Sequence, residues 1–264
     1  MPTKLGQNFL TNKEIARKII RSADLSSDDF MLEIGPGRGI LTEELAKYSG
    51  KVVAVEIDAK LADLSKNRFK DQENVEIIEG NILKIDLSVL AKNHKPRTKN
   101  YKVIANLPYY ITSPVIRKFL EAEFPPSVMI LMVQREVAER IVAKPGGMSI
   151  LAISVQYYAR PEILFHVKRE NFDPVPEVDS AVIKISNIKN KKSKIEDKDF
   201  FRVVRAGFCA KRKTLANNLA NSFHRDKKAV EGILTGSSLD KRIRAQELSV
   251  EDWKKLTNSV IIKA

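Results

Sequence analysis

The segment Leu32-Glu33-Ile34-Gly35-Pro36-Gly37-Arg38-Gly39 joins a predicted buried strand to a predicted helix. Phe30–Ile34 is a mostly apolar run typical of a strand, and the apolar residues of Ile40–Tyr48 recur at helical spacing. Glycine allows a sharp turn and a close approach to a ligand, because it has no Cβ. The helix that follows begins with unpaired N–H groups. We therefore expect a ligand crevice at the carboxyl end of this strand.

Outward from this segment, short β-like runs alternate with helical segments over residues 1–186. The expected strands are Phe30–Ile34, Lys51–Ile57, Val75–Glu79, Tyr101–Ala105, Val128–Val133, Ile163–Val167 and Ser180–Ile185. The expected helices lie at about residues 13–23, 40–48, 60–69, 114–121, 135–142 and 150–158. This alternation predicts an α/β fold, with a Rossmann-like, mostly parallel sheet and helices on both faces.

A different pattern follows the polar, lysine-rich segment Asn187–Lys194, which predicts a linker. Beyond it only helical patterns occur, at Phe200–Phe208, Lys213–Ser222, Lys227–Leu234, Leu239–Ala245 and Val250–Val260. We expect two domains: residues 1–186, and a small all-helical domain of residues 187–264.

The charge is concentrated in this last part of the chain. The 264 residues include 46 basic and 33 acidic ones, for a net charge of +13. Residues 186–264 hold 19 basic and 9 acidic residues, against 27 and 24 in the remainder. Such a basic region predicts a polyanionic partner, which can be RNA, DNA or an anionic membrane. The alternative is a solvated, lysine-rich surface.

Several classes of protein are excluded by composition. The single cysteine, Cys209, excludes a disulfide scaffold and a cysteine-rich zinc site, and fits a reducing cytoplasm. We expect Cys209 to be a small packed side chain beside Phe208. No apolar run approaches the roughly 18 residues that a bilayer span requires. The three histidines have no ligand spacing, so no metal is expected.

The spacing of the glycines bears on the ligand. A dinucleotide fingerprint requires glycine where this chain has Ile40. The pattern Gly35-x-Gly37-x-Gly39 after Glu33 is similar to motif I of S-adenosylmethionine-dependent methyltransferases. Glu56 ends the next strand, 21 residues after Gly35, where a carboxylate accepts hydrogen bonds from ribose hydroxyls. The ribose of NAD would be bound equally well by this carboxylate. The alternative is a surface carboxylate with no ligand.

Two further segments follow strands of the same sheet. Asn81 comes after Val75–Glu79, either as an acceptor for an adenine amine or as a strand cap. Asn106-Leu107-Pro108-Tyr109 comes after Tyr101–Ala105 and resembles the Asn/Asp-Pro-Pro-aromatic motif of enzymes that methylate exocyclic amines. An amide oxygen and a backbone carbonyl of Leu107 or Pro108 would favour a pyramidal, nucleophilic nitrogen. An ordinary turn with a structural tyrosine is the alternative.

The whole chain resembles the ribosomal RNA adenine N6-dimethyltransferases. The matching segments are Leu5-Gly6-Gln7-Asn8-Phe9-Leu10, Glu33–Gly37 with Gly39–Thr42, Glu56–Asp58, Asn106–Tyr110, Phe172–Ser180, and Phe208 with Arg212–Leu215. The arm at Gln7–Leu10 and the proline-rich segment Phe172–Ser180 are more specific than motif I, which many methyltransferases share. One departure is Asn81, which is commonly Asp in this family.

The resemblance implies roles for individual residues. It implies that S-adenosyl-L-methionine, converted to S-adenosyl-L-homocysteine, is bound by Asn8, Leu10, Gly35, Gly37, Glu56, Ile57, Asn81, Ile82 and Asn106. It places the chemistry at Asn106, Leu107, Pro108, Tyr109 and Phe172, with Tyr109 and Phe172 on either side of the target base. Phe172 alone is equally a core residue, but Pro174 and Pro176 favour a stiff, exposed loop.

The basic residues Arg205, Lys211, Arg212 and Lys213 are expected to contact RNA phosphates, with a solvated helix face as the alternative. The resemblance implies dimethylation of two adjacent adenosines in the 3′-terminal hairpin loop of 16S rRNA, in the immature small ribosomal subunit. We expect a monomer in the cytoplasm with no membrane partner. A 23S rRNA methyltransferase of the resistance type, or a ribosome-assembly factor with little catalysis, remain as alternatives.

Overall fold

The computed structural model describes residues 7–87, 90, 101–189 and 197–262. Its strands are β1 (Phe9–Leu10), β2 (Phe30–Ile34), β3 (Lys51–Glu56), β4 (Val75–Glu79), β5 (Tyr101–Asn106), β6 (Val128–Gln134), β7 (Arg160–Val167), β8 (Phe172–Asp173) and β9 (Ser180–Ser186). Its helices are α1 (Lys13–Ser22), α2 (Ile40–Tyr48), α3 (Ala59–Arg68), α4 (Thr112–Leu120), α5 (Arg135–Ile141), α6 (Ile150–Tyr158), α7 (Asp197–Gly207), α8 (Leu215–Phe223), α9 (Lys227–Gly236) and α10 (Val250–Ile262).

Seven of these strands form one mixed sheet in the order β4-β3-β2-β5-β6-β9-β7. The first five run parallel, and β9 pairs antiparallel with both β6 and β7. Leu32 of β2 lies between Val53 of β3 and Val103 of β5. The carboxyl ends of β4, β3, β2 and β5 therefore meet at one edge, where the sequence places its candidate site residues. The predicted α/β class and the helices on both sides of the sheet are confirmed.

Local side-chain caps explain where two helices begin. The Asn12 side chain accepts hydrogen bonds from the backbone N–H groups of Glu14 (2.9 Å) and Ile15 (3.3 Å) at the start of α1. Asp58 does the same for Lys60 (2.9 Å) and Leu61 at the start of α3. Each cap satisfies donors that have no partner within the helix, so the chain enters both helices at a defined residue.

A two-residue ladder was not predicted. β1 pairs antiparallel with β8, with Leu10 opposite Phe172. Thr11 adds two bonds to the Asn171 carbonyl, from its backbone N–H and its hydroxyl, each 2.9 Å long. This ladder pairs the arm Gln7–Leu10 with the start of the proline-rich segment Phe172–Ser180. A two-residue strand has no periodicity, which is why the sequence pattern does not show it.

One predicted helical turn is wrong. The sequence pattern placed it at Leu239–Ala245, whereas the structure has a short 3₁₀ turn at Ala245–Glu247. The Asp240 carboxylate accepts the backbone N–H of Arg242 at 2.6 Å. Such a local side-chain bond gives the backbone an alternative to the helix, which accounts for the difference.

The chain separates into two compact units, of which the first comprises Met1–Glu139 and Tyr158–Asn190. Helices α1 and α2 pack against each other in this unit. Its apolar core combines sheet residues with helix residues, among them Met31, Val52, Ile104, Ile130, Ile19 and Leu45. The central strands are buried along their whole length, which explains why they read as near-continuous apolar runs.

The second unit comprises Arg140–Tyr157 and Lys191–Ala264. Trp253 and Phe200 are fully buried in it, and Tyr157 stacks on Phe200 with ring centroids 4.1 Å apart. The segment Arg140–Tyr157 thus groups with the C-terminal helices. The division into a cofactor domain of residues 1–186 and an RNA-binding domain of residues 187–264 stays a prediction.

The expected packing of Cys209 is wrong, since this residue is exposed.

Two glycines of the second unit differ in the space around them. A Cβ on Gly207 would lie 2.3 Å from the Trp253 ring and 2.8 Å from Leu215, whereas a Cβ on Gly232 would meet nothing within 4 Å. We expect Gly207→Ala to lower the free energy of unfolding by about 1–3 kcal/mol through overpacking. Gly232→Ala, inside α9, should raise it by about 0.5–1 kcal/mol. Urea unfolding of both variants checks this, and equal effects would contradict the packing of Gly207.

Candidate active site

A cavity of about 210 Å³ opens where β2, β3, β4 and β5 end. All nine residues expected to bind the cofactor line it: Asn8, Leu10, Gly35, Gly37, Glu56, Ile57, Asn81, Ile82 and Asn106. Of the residues expected to carry the chemistry, Leu107, Pro108 and Phe172 line it as well. The structure therefore brings together candidates that lie more than 160 residues apart in the chain.

The glycine turn adopts the conformation that its composition predicts. Gly35, Gly37 and Gly39 all have positive φ angles, of 68°, 55° and 78°. A Cβ at Gly35 would meet nothing within 4 Å, whereas one at Gly37 would lie 2.9 Å from the Phe9 ring. Gly37 thus lets the arm lie directly on the turn, in a backbone region that other residues rarely adopt.

Glu56 is a buried carboxylate, with 2% of its surface exposed. One oxygen accepts the backbone N–H of Gly37 and the other accepts that of Asp58, each at 3.0 Å. The interpretation of Glu56 as a surface carboxylate is therefore wrong. Each carboxylate oxygen has a further lone pair, so the group can accept two more donors from a ligand in the cavity.

Glu33, the acidic residue before the glycine turn, is also buried but does not line the cavity. One oxygen accepts a 2.6 Å hydrogen bond from the Thr42 hydroxyl, and the other has no partner. Burial raises the pKa of Glu33 to about 8; the Thr42 bond acts against this rise and the charge of Glu56 adds to it. Glu33 is accordingly mostly neutral at pH 7.

The Asn106 side chain has a fixed orientation at the end of β5. Its Nδ2 donates to the backbone carbonyl of Asn8 at 3.0 Å, which leaves Oδ1 as the acceptor for a ligand. The Pro108 carbonyl already accepts the backbone N–H of Ile111 at 3.2 Å, as the 3₁₀ turn Tyr109–Ile111 begins. Of the two carbonyls expected to accept a hydrogen bond from the target amine, that of Leu107 therefore has the greater accepting capacity left.

The structure describes only one of the two aromatic side chains that are expected to stack on the target base. The side chain of Tyr109 lies outside the described residues, so its stacking role stays a prediction. Phe172 borders the cavity but is only 3% exposed and belongs to the apolar core. The expectation of an exposed Phe172 is wrong, because its pairing with Leu10 draws it inward. The stiff exposed loop begins after it, where Val175 is 59% exposed.

Asn81 has a structural partner of its own. Its side-chain oxygen accepts the backbone N–H of Leu83 at 2.9 Å, which supports the interpretation as a cap after β4. The same oxygen has a second lone pair, and the residue lines the cavity. Its neighbour Ile82 is buried and Ile57, across the cavity, is half exposed, so both offer apolar surface to a flat ring.

An ion pair beside the arm was missed by the sequence analysis. The Arg38 guanidinium donates to the Asp173 carboxylate at 2.8 Å and lies 4.8 Å from the centre of the Phe9 ring. It links the glycine turn, the arm and β8. The partners are 135 residues apart, and a single sequence contains no signal for such a pair.

The residues expected to contact RNA all lie in the second unit. Arg205 is exposed on α7, and Lys211, Arg212 and Lys213 are exposed between α7 and α8.

Among the described residues, no three histidine, cysteine or acidic side chains are grouped so that they could hold a metal ion; His94 lies outside the described residues. In the same part of the chain, every helix is too short or too polar to cross a bilayer.

Comparison with known proteins identifies the family. A family model for ribosomal RNA adenine dimethylase matches residues 1–259. The chain belongs to this family. It is 44% identical over 256 residues to ribosomal RNA small subunit methyltransferase A of Dehalococcoides mccartyi, covering 96% of this chain and 86% of that protein. It is 41% identical over 263 residues to the protein of that name in Geobacillus thermodenitrificans, covering 97% and 90%.

Solved structures agree with this dimethylase assignment. A dimethyladenosine transferase of Plasmodium falciparum superposes with a TM-score of 0.78 at 28% identity, covering 94% of this chain and 95% of that one. The 23S rRNA methyltransferase ErmE has a TM-score of 0.74 at 24% identity, covering 96% and 100%, and shows the shared fold. The predicted resemblance is confirmed, and the protein is an RNA adenine methyltransferase with a class I methyltransferase fold.

The buried Glu33 predicts a pH dependence of stability. The folded protein keeps this proton up to about pH 8, whereas the unfolded carboxyl loses it near pH 4.5. Between these values the folded state binds more protons, so this group makes stability fall as pH rises, by up to about 1.4 kcal/mol per pH unit. Glu33→Gln removes the titration, and its stability relative to wild type should rise from pH 5 to pH 8. Urea unfolding at several pH values measures the difference; parallel pH profiles would contradict it.

Proposed function

We propose that this protein transfers methyl groups from S-adenosyl-L-methionine to N6 of two adjacent adenosines in the 3′-terminal hairpin loop of 16S rRNA. The observation that supports this proposal is that Asn106 lines the cavity and uses its Nδ2 on the Asn8 carbonyl, so that its Oδ1 remains to accept from an adenine amine beside the methyl donor. The small-subunit relatives, at 40–45% identity, support the choice of RNA. We place the enzyme in the cytoplasm, as a monomer acting on the immature small subunit.

The cavity fits this cofactor in its hydrogen-bond acceptors and its apolar surfaces. The buried Glu56 carboxylate has lone pairs left for two ribose hydroxyls, and the open position at Gly35 gives room against the turn. Ile57 and Ile82 offer apolar surface to an adenine, and Asn81 an acceptor for its amine. Asn8 and Leu10 cover the cavity from the arm. The bound cofactor supplies an electrophilic methyl group on a cationic sulfur.

The nucleophile is activated by acceptors. The adenine N6 lone pair is delocalised into the ring, so the free amine attacks poorly. Asn106 Oδ1 and the Leu107 carbonyl accept hydrogen bonds from its N–H groups and hold the nitrogen in a pyramidal, nucleophilic state. Pro108 has no N–H to compete for these acceptors. Positioning and electrostatics then suffice, and the proton that the nitrogen loses passes to water.

Recognition of the RNA is divided between the base and the backbone. Tyr109 and Phe172 hold the extruded adenine from its two faces, with Phe172 presenting only the part of its ring that borders the cavity. Extrusion from a hairpin loop costs less than from a duplex. Arg205, Lys211, Arg212 and Lys213 contact phosphates, which position the RNA without reading its sequence.

The Asn106 assignment is tested by Asn106→Ala. We expect its kcat on unmethylated small ribosomal subunits to fall about 100-fold or more at saturating cofactor, the scale seen when one stabilising contact is removed. The measurement is transfer of tritiated methyl, with the fold checked by circular dichroism. Asn221→Ala, an exposed asparagine of α8, is the control and should leave kcat unchanged. Near-normal kcat for Asn106→Ala would refute the assigned role.

The same assay separates the alternative functions. Methylation of 23S rRNA in preference to small subunits would indicate an enzyme of the resistance type. Binding of small subunits without methyl transfer by the wild-type protein would indicate an assembly factor. Primer extension on rRNA from cells with and without the protein locates the modified adenosines, because a dimethylated adenine blocks the reverse transcriptase and this block should be lost in cells that lack the protein.

A further inference from the structure

Tyr110 is an exposed aromatic residue on the rim of the cavity, and the mechanism above does not use it. It lies in the 3₁₀ turn Tyr109–Ile111, two residues after Pro108, and lines the cavity. Its exposed fraction is 60%, which is high for a large side chain beside a binding site. The turn is anchored by the bond from the Ile111 N–H to the Pro108 carbonyl, so the position of Tyr110 follows from that of the amine-binding segment.

The other two described aromatic rings along the cavity, Phe172 and Phe9, are less exposed than Tyr110. Phe172 is 3% exposed and packs in the core. Phe9 lies under the Arg38 guanidinium and close against Gly37, where an added Cβ would be 2.9 Å away. Of these three rings, Tyr110 therefore has the most surface left for a second nucleotide base. A base stacks on such a ring whatever its identity, because every base has a π surface.

The position of Tyr110 determines which base it meets. The adenine being methylated must reach Asn106 Oδ1 inside the cavity, whereas Tyr110 lies at the opening. Building on the proposed function, we propose that Tyr110 stacks on the base of the nucleotide next to the adenosine being methylated. In a substrate with two adjacent target adenosines, this base is the other target for one of the two adenosines and the flanking nucleotide for the other. Tyr110 is thus a positioning residue that holds one adenosine while its neighbour reacts.

The first test compares variants in steady-state methylation of unmethylated small subunits. Tyr110→Ala should raise the KM for the subunits about 5- to 150-fold, the range of one lost base–aromatic stack. Its kcat and its dissociation constant for S-adenosyl-L-homocysteine should stay unchanged. Tyr110→Phe keeps the ring and should retain the wild-type KM. Tyr48→Ala removes a tyrosine of similar exposure, 55%, at the end of α2, and serves as the control.

The second test identifies the base. Small subunits are reconstituted with 16S rRNA that has an abasic site on one side or the other of a single target adenosine. On one side the missing base should raise the wild-type KM by the same factor as Tyr110→Ala, and combining both changes should add nothing further. The inference is overturned by an unchanged KM for Tyr110→Ala or by weakened binding of S-adenosyl-L-homocysteine to that variant. It is also overturned if the KM increases from Tyr110→Ala and from the abasic site multiply on both sides of the target. If the wild-type protein does not methylate even the intact, unmethylated subunits, the proposed function itself fails.

Discussion

The hydrogen bond from the Asn106 side-chain amide to the Asn8 carbonyl fixes two parts of the site at once. It fixes the amide so that Oδ1, which can only accept, keeps its accepting capacity. It also ties the arm to the end of β5, and Asn8, Leu10, Gly35 and Glu56 all line the same cavity. One contact thus links the orientation of the Asn106 amide to the position of the arm beside the cavity.

The arm is held mainly by apolar burial and main-chain bonds. Leu10 and Phe172 are 4% and 3% exposed, and burying side chains of this size contributes about 1.5–3 kcal/mol each. The bonds from Thr11 to the Asn171 carbonyl add about 0.5–1.5 kcal/mol each. The Arg38–Asp173 pair is more than half exposed on both sides and contributes roughly 1 kcal/mol or less. Its role is to orient the Phe9 ring over the glycine turn.

Patterned elements were predictable from sequence and long-range pairings were not. The bounds of β2, β4, α2 and α6 agree with the pattern to the residue, because burial of a strand or of a helix face selects apolar residues within the element itself. The positions of Gly35, Glu56, Asn81 and Asn106 along the cavity were also predictable, because parallel strands bring their carboxyl ends to one edge. Those of Asn8, Leu10 and Phe172 followed only from the family resemblance. The burial of Phe172 and the Arg38–Asp173 ion pair depend on the pairing of β1 with β8, and no local pattern in the sequence indicates that pairing.

The electrostatics of the glycine turn favour a cationic ligand over a dinucleotide. In a phosphate-binding turn, the backbone N–H groups point at the anion. Here the N–H of Gly35 is donated to the Val55 carbonyl (2.9 Å), that of Gly39 to the Pro36 carbonyl (2.8 Å), and that of Gly37 to the Glu56 carboxylate. A pyrophosphate would find the N–H groups of the three glycines taken and a buried carboxylate beside them, which weakens its attraction to the turn. A positively charged sulfur or ammonium group would instead be attracted to Glu56. Ile40, where a dinucleotide fingerprint requires glycine, agrees with this electrostatic argument.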